Sequence, residues 1–324
     1  MSLIVIGIVA IALIFYLSSL DKNATPKDSI RLSINPFPGT DYAFIALEKK
    51  FFEKNGVSVD LILNAAYTDT VEQFEGGYVD GAFEVFTDAI IQNSKGFDVA
   101  VVYVTDYSTD GDVIVGKVED ITQLAGKIVG RGEQNFSYFF VVDILEEYGL
   151  DEEDVELKII DETHAVDALD LGIVDAVHTW DPEKTHAVDK GYKILAKAGD
   201  DPGVIIDVLV FNKKIIEERP NEIRSIIKSL EDAKRFLKTN RNDSIKIMSE
   251  VEGFSYEQME KSLDDAYRPT LSENLELLQN HYSMLYFEGE EIMQFFYEKN
   301  YISRIFSLDQ LVYDKFVKEL SNAN

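Results

Sequence analysis

The chain has 324 residues, 46% of them hydrophobic, which is enough for a large core spread over one or two domains. Its 59 Asp and Glu against 31 Lys and Arg leave a formal charge of -28 distributed along the whole length, which argues against nucleic acid as a partner. The absence of cysteine rules out thiol catalysis, thiolate metal sites and disulfides together.

The first distinct segment is an apolar run from Leu3 to Leu20, bounded by Asp21 and Lys22. Its length approaches the roughly 20 residues that a membrane-spanning helix needs. No Lys or Arg precedes it and its cleavage site is poor, so an uncleaved apolar anchor helix over 1–22 is expected, with a cleaved signal peptide as the alternative. A short polar linker with Pro26 follows.

Residues 30–34 read as a first strand, and the loop from Asn35 to Asp41 after it is broken by Pro36, Pro38 and Gly39. Phe44, Leu47, Phe51 and Phe52 then recur at helical spacing over 42–54, with Asn55-Gly56 as the stop. Residues 57–63 alternate as a second strand, 68–75 form a short helix ended by Gly76-Gly77, and 81–85 form a third strand. The same order returns from Lys127: strand 128–131, loop 132–135, helix 136–148 ended at Gly149, strand 155–160, helix 165–171, and strand 175–179. Gly77-Tyr78-Val79-Asp80-Gly81-Ala82 is echoed about 95 residues later by Gly172-Ile173-Val174-Asp175-Ala176-Val177, which reads as an internal duplication.

Two β-α-β-α-β units with right-handed crossovers predict an α/β protein of two lobes, each a mostly parallel sheet flanked by helices. Strand-like segments at 98–107, 112–117 and 204–211 sit at the joins, so the chain is expected to cross between lobes twice. Lobe I then comprises 28–117 and 205–324, and lobe II, inserted, comprises 118–204. The tail is helical. Ile223, Ile226, Ile227, Leu230, Ala233 and Leu237 share one face of 220–238, and amphipathic stretches follow at 256–267, 290–297 and 309–320.

In open parallel sheets, ligands bind beyond the carboxyl ends of the strands. That rule selects the loops holding Phe37, Pro38, Gly39, Asp41 and Tyr42, Glu84 and Phe86, and Ser108 in lobe I or its join. In lobe II it selects Gln134, Asn135 and Ser137, His164, and Trp180 with Asp181. Trp180, the single tryptophan, either packs in the core or stacks on a ligand, and its place just past a strand end favours stacking. Glu84 and Asp181 either bind a cation or hydroxyl or stand as solvated loop carboxylates. His178 reads as a strand histidine, and with His164 and His186 it forms no close metal pattern, so neither a metal nor a cofactor is expected. No phosphate loop, nucleophile elbow or supported Ser-His-Asp order is present, and no catalytic residue is assigned.

The segments Asn35-Pro36-Phe37-Pro38-Gly39, Gly77 to Ala82, Asp106-Tyr107-Ser108, Leu124-Ala125-Gly126-Lys127 and Val174-Asp175-Ala176 with Thr179-Trp180-Asp181-Pro182 together resemble the substrate-binding proteins of nitrate, taurine and aliphatic-sulfonate ABC transporters. The resemblance covers about residues 30–250. It implies a periplasmic-binding-protein fold of type II, a small polar ligand trapped by lobe closure, and partners in a membrane permease with a cytoplasmic ATPase. The family also includes binders of thiamine-precursor pyrimidines and biosynthetic enzymes; the yeast-type pyrimidine synthases use a cysteine-rich motif that this chain lacks. The expectation is an extracytoplasmic, membrane-tethered solute-binding protein, with a cofactor-precursor enzyme on the same scaffold as the alternative. Only Arg131 and Arg268 are near enough to meet an anion, and the surplus of carboxylates and aromatics argues for a neutral or zwitterionic, ring-containing ligand.

Overall fold

In the computed structural model, which describes residues 29–133 and 135–323, two sheets are covered by helices. The anchor expected at the N-terminus lies outside those residues. Among the described residues no helix is long and apolar enough to cross a membrane.

The first sheet begins with β1 (Ile30–Ile34), flanked in parallel by β2 (Val59–Leu63) and β3 (Gly81–Val85). The crossovers are α1 (Tyr42–Glu48), α2 (Phe51–Lys54) and α3 (Tyr67–Glu75). The single helix expected over 42–54 is broken at Lys50, whose φ of 58° lies in the left-handed region. The break re-aims the following turn so that Phe52 enters the core while Phe51 meets the Phe236 ring edge-on at 6.0 Å. After α4 (Phe86–Ser94), the strand β4 (Val99–Ser108) is buried along nearly its whole length, with residues 99–104 apolar throughout as burial on both faces requires.

The chain then crosses to the second sheet: β5 (Val113–Gly116), β6 (Ile128–Arg131), α5 (Asn135–Glu147), β7 (Glu156–Ile159), α6 (Ala165–Asp170), β8 (Ala176–Thr179), α7 (Glu183–Asp189) and β9 (Lys193–Lys197). It returns as β10 (Ile206–Asn212). With β11 (Ala266–Tyr267), the first sheet runs β11-β4-β10-β3-β1-β2 and the second β7-β6-β8-β5-β9. Each sheet is therefore a parallel trio extended by antiparallel strands, and in each the strand beside the trio is the one that has just crossed over. The crossing falls between Ser108 and Val113, earlier than the boundary expected at 117: Val113–Gly116 pairs with β8 and β9 of the second sheet, which the apolar pattern of 112–117 could not foretell.

The duplication has a physical core. Asp80 accepts a hydrogen bond from the Arg31 backbone N–H at 2.9 Å, and Asp175 accepts the equivalent bond from Ile128 at 3.1 Å. The N–H groups of the same two aspartates donate back to Arg31 and Ile128. The repeated Gly-x-x-Asp thus ties each third strand to its first, after a glycine at φ 70° (Gly77) or 69° (Gly172) has ended the preceding helix.

The tail comprises α8 (Lys213–Glu218), α9 (Pro220–Thr239), α10 (Arg241–Glu252), α11 (Tyr256–Ser262), α12 (Leu271–Gln279), α13 (Met284–Glu298) and α14 (Lys315–Ala323). The predicted apolar face of α9 is buried throughout. Two stretches differ from their expected single helices. Over 256–267 the helix stops at Ser262 and the chain adds β11 to the free edge of β4, where Tyr267 stacks on Tyr107 at 5.0 Å. Over 309–320 the helix starts only at Lys315, because Leu311 and Tyr313 first bond to Val101 of β4.

Candidate ligand cleft

The carboxyl ends of β1, β3 and β8 converge on a small, half-open cavity, at the place where an open parallel sheet gathers its loops. From the first sheet it is walled by Asn35, Phe37 and Thr40 of the loop after β1, Tyr67 at the head of α3, Phe83 and Val85 of β3, and Ile205 and Asp207 at the start of β10. From the second come Asp112 before β5, Phe136 on α5 and Trp180 after β8. Both sheets therefore supply walls.

The aromatic residues form a connected set. Phe136 meets Tyr67 edge-on at 5.1 Å and Trp180 at 5.8 Å with the rings tilted by 47°. Tyr67 is fixed at its far end, where its hydroxyl donates to Asp88 at 2.8 Å and accepts from the Val85 backbone at 2.8 Å. These rings are held by their neighbours before any ligand arrives, which lowers the entropy lost on binding.

Two carboxylates enter the cavity. Asp112 is oriented by a buried relay: Ser137 Oγ accepts from the Gly132 N–H at 2.8 Å, lies 2.6 Å from His178 Nδ1, and His178 Nε2 lies 3.2 Å from Asp112 Oδ1. The neutral tautomer that satisfies both partners carries its proton on Nε2, so Ser137 donates to Nδ1 and the imidazole donates to Asp112. The order is the reverse of a nucleophilic triad, because the carboxylate faces the cavity and the hydroxyl is buried behind it. Ser108 Oγ also accepts from the Asp112 N–H, at 3.0 Å.

Asp207 enters from the other side. It sits directly opposite Asp106 in the antiparallel β10/β4 pair, where like charges repel. Burial, then Asp106 and Asp112, hold the Asp207 carboxyl well above the usual carboxylate range. Burial lifts Asp106 to about 7 despite the attraction of Arg268. Arg268 itself is spent on backbone: its guanidinium donates to the carbonyls of Pro38, Gly39 (3.1 Å), Leu263 (2.9 Å) and Ala266 (3.2 Å). It shapes the 36–41 loop from behind.

Around the cavity the two halves touch through polar contacts. Asn135 donates to Asp88 at 3.1 Å, the Tyr67 N–H to Glu162 at 3.1 Å, and Ser262 to Asp181 at 2.6 Å. Lys184 of α7 bridges Asp181 on its own side and Asp265 on the other.

The sequence from residue 41 to 243 matches the family model described as NMT1/THI5 like. The chain belongs to that family. The fold agrees with solved structures over about nine tenths of the chain. The alkanesulfonate-binding protein SsuA of Xanthomonas axonopodis pv. citri, bound to MOPS, aligns over 90% of this chain and 100% of its own with a TM-score of 0.73 at 16% identity. The periplasmic aliphatic sulphonate-binding SsuA of Escherichia coli aligns over 90% and 99% with a TM-score of 0.72 at 17% identity. The periplasmic nitrate-binding protein NrtA of Synechocystis PCC 6803 aligns over 91% and 88% with a TM-score of 0.70 at 12% identity. No curated protein sequence matches the chain. The periplasmic-binding architecture expected from the sequence is thus the one this NMT1/THI5-like chain adopts.

Of the residues singled out by sequence, Phe37 and Trp180 line the cavity, and Asp181 lines a wider mouth that also contains Trp180. Ser108 and Ser137 stand one layer behind, as supports of Asp112. Pro38 and Gly39 present their carbonyls to Arg268, away from the cavity. Asp41, Tyr42, Glu84 and Phe86 do not line it: all are fully buried in the first lobe's core, with the Tyr42 hydroxyl donating to Thr105 O and Glu84 accepting from Gln92. Glu84 and Asp181 are both buried and neither is a solvated loop carboxylate. Asn135 lies at the lobe contact with Asp88, His164 is exposed and bonded only to its neighbours, and Gln134 lies outside the described residues. Arg131 stacks on Tyr138 at 4.5 Å and donates to the Gly132 carbonyl. Sequence reasoning missed Asp112 and Asp207. Their signal was present as Asp207 inside an isoleucine- and valine-rich strand, where a charge has no structural reason to sit, and as Asp112 at the head of another.

Proposed function

We propose that the protein is the extracytoplasmic solute-binding component of an ABC importer, enclosing a small molecule between two lobes and delivering it to a permease driven by a cytoplasmic ATPase. The observation that carries the reading is the cavity with one wall on each sheet, since a ligand there gains contacts only when the lobes are together and so favours the closed state. In this reading lobe I is the chain up to Ser108 and from Ile206 onward, lobe II is the segment between, and the two crossovers are the hinge. Residues 3–20 tether the protein to the outer face of the membrane, keeping it at high effective concentration beside the permease. Phe37, Trp180, Asp112 and Asp207 contact the ligand. Binding rather than catalysis is supported by the Ser137–His178–Asp112 relay, which ends in a carboxylate and leaves no activated nucleophile at the cavity.

Small-angle scattering of the full-length protein against sulfonates, oxyanions, pyrimidines, flavins and amines tests this. One class is expected to raise thermal stability and reduce the radius of gyration together. A compound chemically converted without any compaction would overturn the reading in favour of an enzyme.

A further inference from the structure

The cavity and its mouth adjoin through Asn35, Tyr67 and Trp180, which line both. Every charged residue in these walls is an acid: Asp112 and Asp207 inside, Glu162, Asp181, Glu183 and Glu252 around the mouth. The nearby cations are already committed. Arg268 donates to four backbone carbonyls, Arg131 is stacked on Tyr138, and Lys184 is held by Asp181, Asp265 and the Asp110 carbonyl. A sulfonate or nitrate in this cavity would meet carboxylates where it needs donors.

Two further observations point the same way. Asp207, only 8% exposed, lines the cavity with Asp106 opposite it in the strand pair, while Asp112 reaches in from the other sheet, close enough to repel it. Bringing the lobes together therefore opposes two carboxylates across a low-dielectric space, and a positive charge between them converts that repulsion into attraction. The remaining wall is rich in aromatic residues, Phe37, Tyr67, Phe136 and Trp180, the side chains whose ring quadrupoles attract organic cations. Bare divalent ions prefer cages of six or more oxygens, which aromatic walls do not supply.

From this geometry we infer that the ligand is a small organic cation, a protonated amine or a quaternary or ring nitrogen on a flat or compact apolar body, whose charge lies between Asp112 and Asp207. The inference rests on the solute-binding reading above and deepens it by naming the ligand class. It replaces the neutral or zwitterionic ligand expected from sequence, because the acids that matter are the two that the sequence reading did not select.

The test uses the full-length protein and sets benzyltrimethylammonium, N-methylpyridinium, choline and benzylamine against benzyl alcohol, 3,3-dimethylbutan-1-ol, benzenesulfonate and nitrate. Thermal shift and small-angle scattering are read together. At least one cation is expected to stabilise and compact the protein, with its neutral or anionic counterpart ineffective at the same concentration. Asp207→Asn and, separately, Asp112→Asn should each weaken that cation's binding about tenfold or more, as loss of a charge-assisted contact does. Should one variant fail to fold, the other and the charge preference of the unmodified protein still decide the matter. Stabilisation and compaction by a neutral or anionic compound, with the cations inert, would overturn the charge assignment and leave the solute-binding reading standing. Compaction by none of the compounds would overturn the charge assignment; compaction by none of the wider library above would overturn both.

Discussion

Asp106 provides a sharp test of the electrostatics of the first lobe. Its carboxyl is completely buried opposite Asp207, and burial raises it from 3.8 to about 7. Below pH 4 the group is protonated in both folded and unfolded chains. Between about pH 4 and 7 the unfolded chain ionises while the native protein keeps its proton, so stability falls as pH rises through that window and levels off above it. A shift of three units corresponds to about 4 kcal/mol, and sharing the proton with Asp207 makes about 2–4 kcal/mol the expected contribution. Asp41 at about 7 and Asp88 at about 6 act in the same direction. Asp106→Asn keeps the shape and removes the charge. Urea unfolding followed by far-UV circular dichroism should find the variant level with the parent at pH 4.5 and more stable by about 2 kcal/mol at pH 7.5. A parent protein whose stability is flat or rising from pH 4.5 to 7.5, or a variant with the parent's slope, would refute the argument.

Lys184→Met strands Asp181 and Asp265 beside each other, so a loss of about 3 kcal/mol and a larger radius of gyration without ligand are expected from unfolding curves and scattering. His178→Ala removes a ring packed 4.7 Å from Phe140 and 5.6 Å from Trp180 and frees Asp112; about 2–4 kcal/mol of stability should go, with weaker ligand binding by calorimetry. Gly39→Ala would press a methyl group onto the Asp106 carboxylate and to within 2.5 Å of Phe37 Cε1, displacing a cavity wall; affinity should fall on the order of tenfold. If an organic cation lies between Asp112 and Asp207, it favours the ionised form of the Asp106–Asp207 pair, whose charged neighbours include Arg268, Asp41 and Asp112. Its affinity should then rise between pH 6 and 8, measured by calorimetry in two buffers of different ionisation heat.

Periodicity and turn chemistry alone determined much of this protein. The strands at 30–34, 81–85 and 128–131, the helix-ending glycines Gly56, Gly77, Gly149 and Gly172, and the apolar face of α9 each follow from a few neighbouring residues, and the Asp80/Asp175 echo revealed two similar sheets because the same local bond is made twice. The loops at the strand ends gather where a parallel sheet dictates. Which side chain in each loop faces the cavity was decided only in three dimensions. Tyr42 and Phe86 are large and apolar enough for either place, and it is the packing of helices from the distant tail, such as Gly289 and Leu308 against Phe86, that makes it core. Val113–Gly116 and Asp207 belong to strands whose partners come from elsewhere in the chain, so their sheet and their exposure are set by long-range pairing. The sign of charge in the cleft is likewise a tertiary property: Arg131 and Arg268 are close to it in sequence terms, yet both spend their donors elsewhere and leave the cavity to acids and aromatic rings.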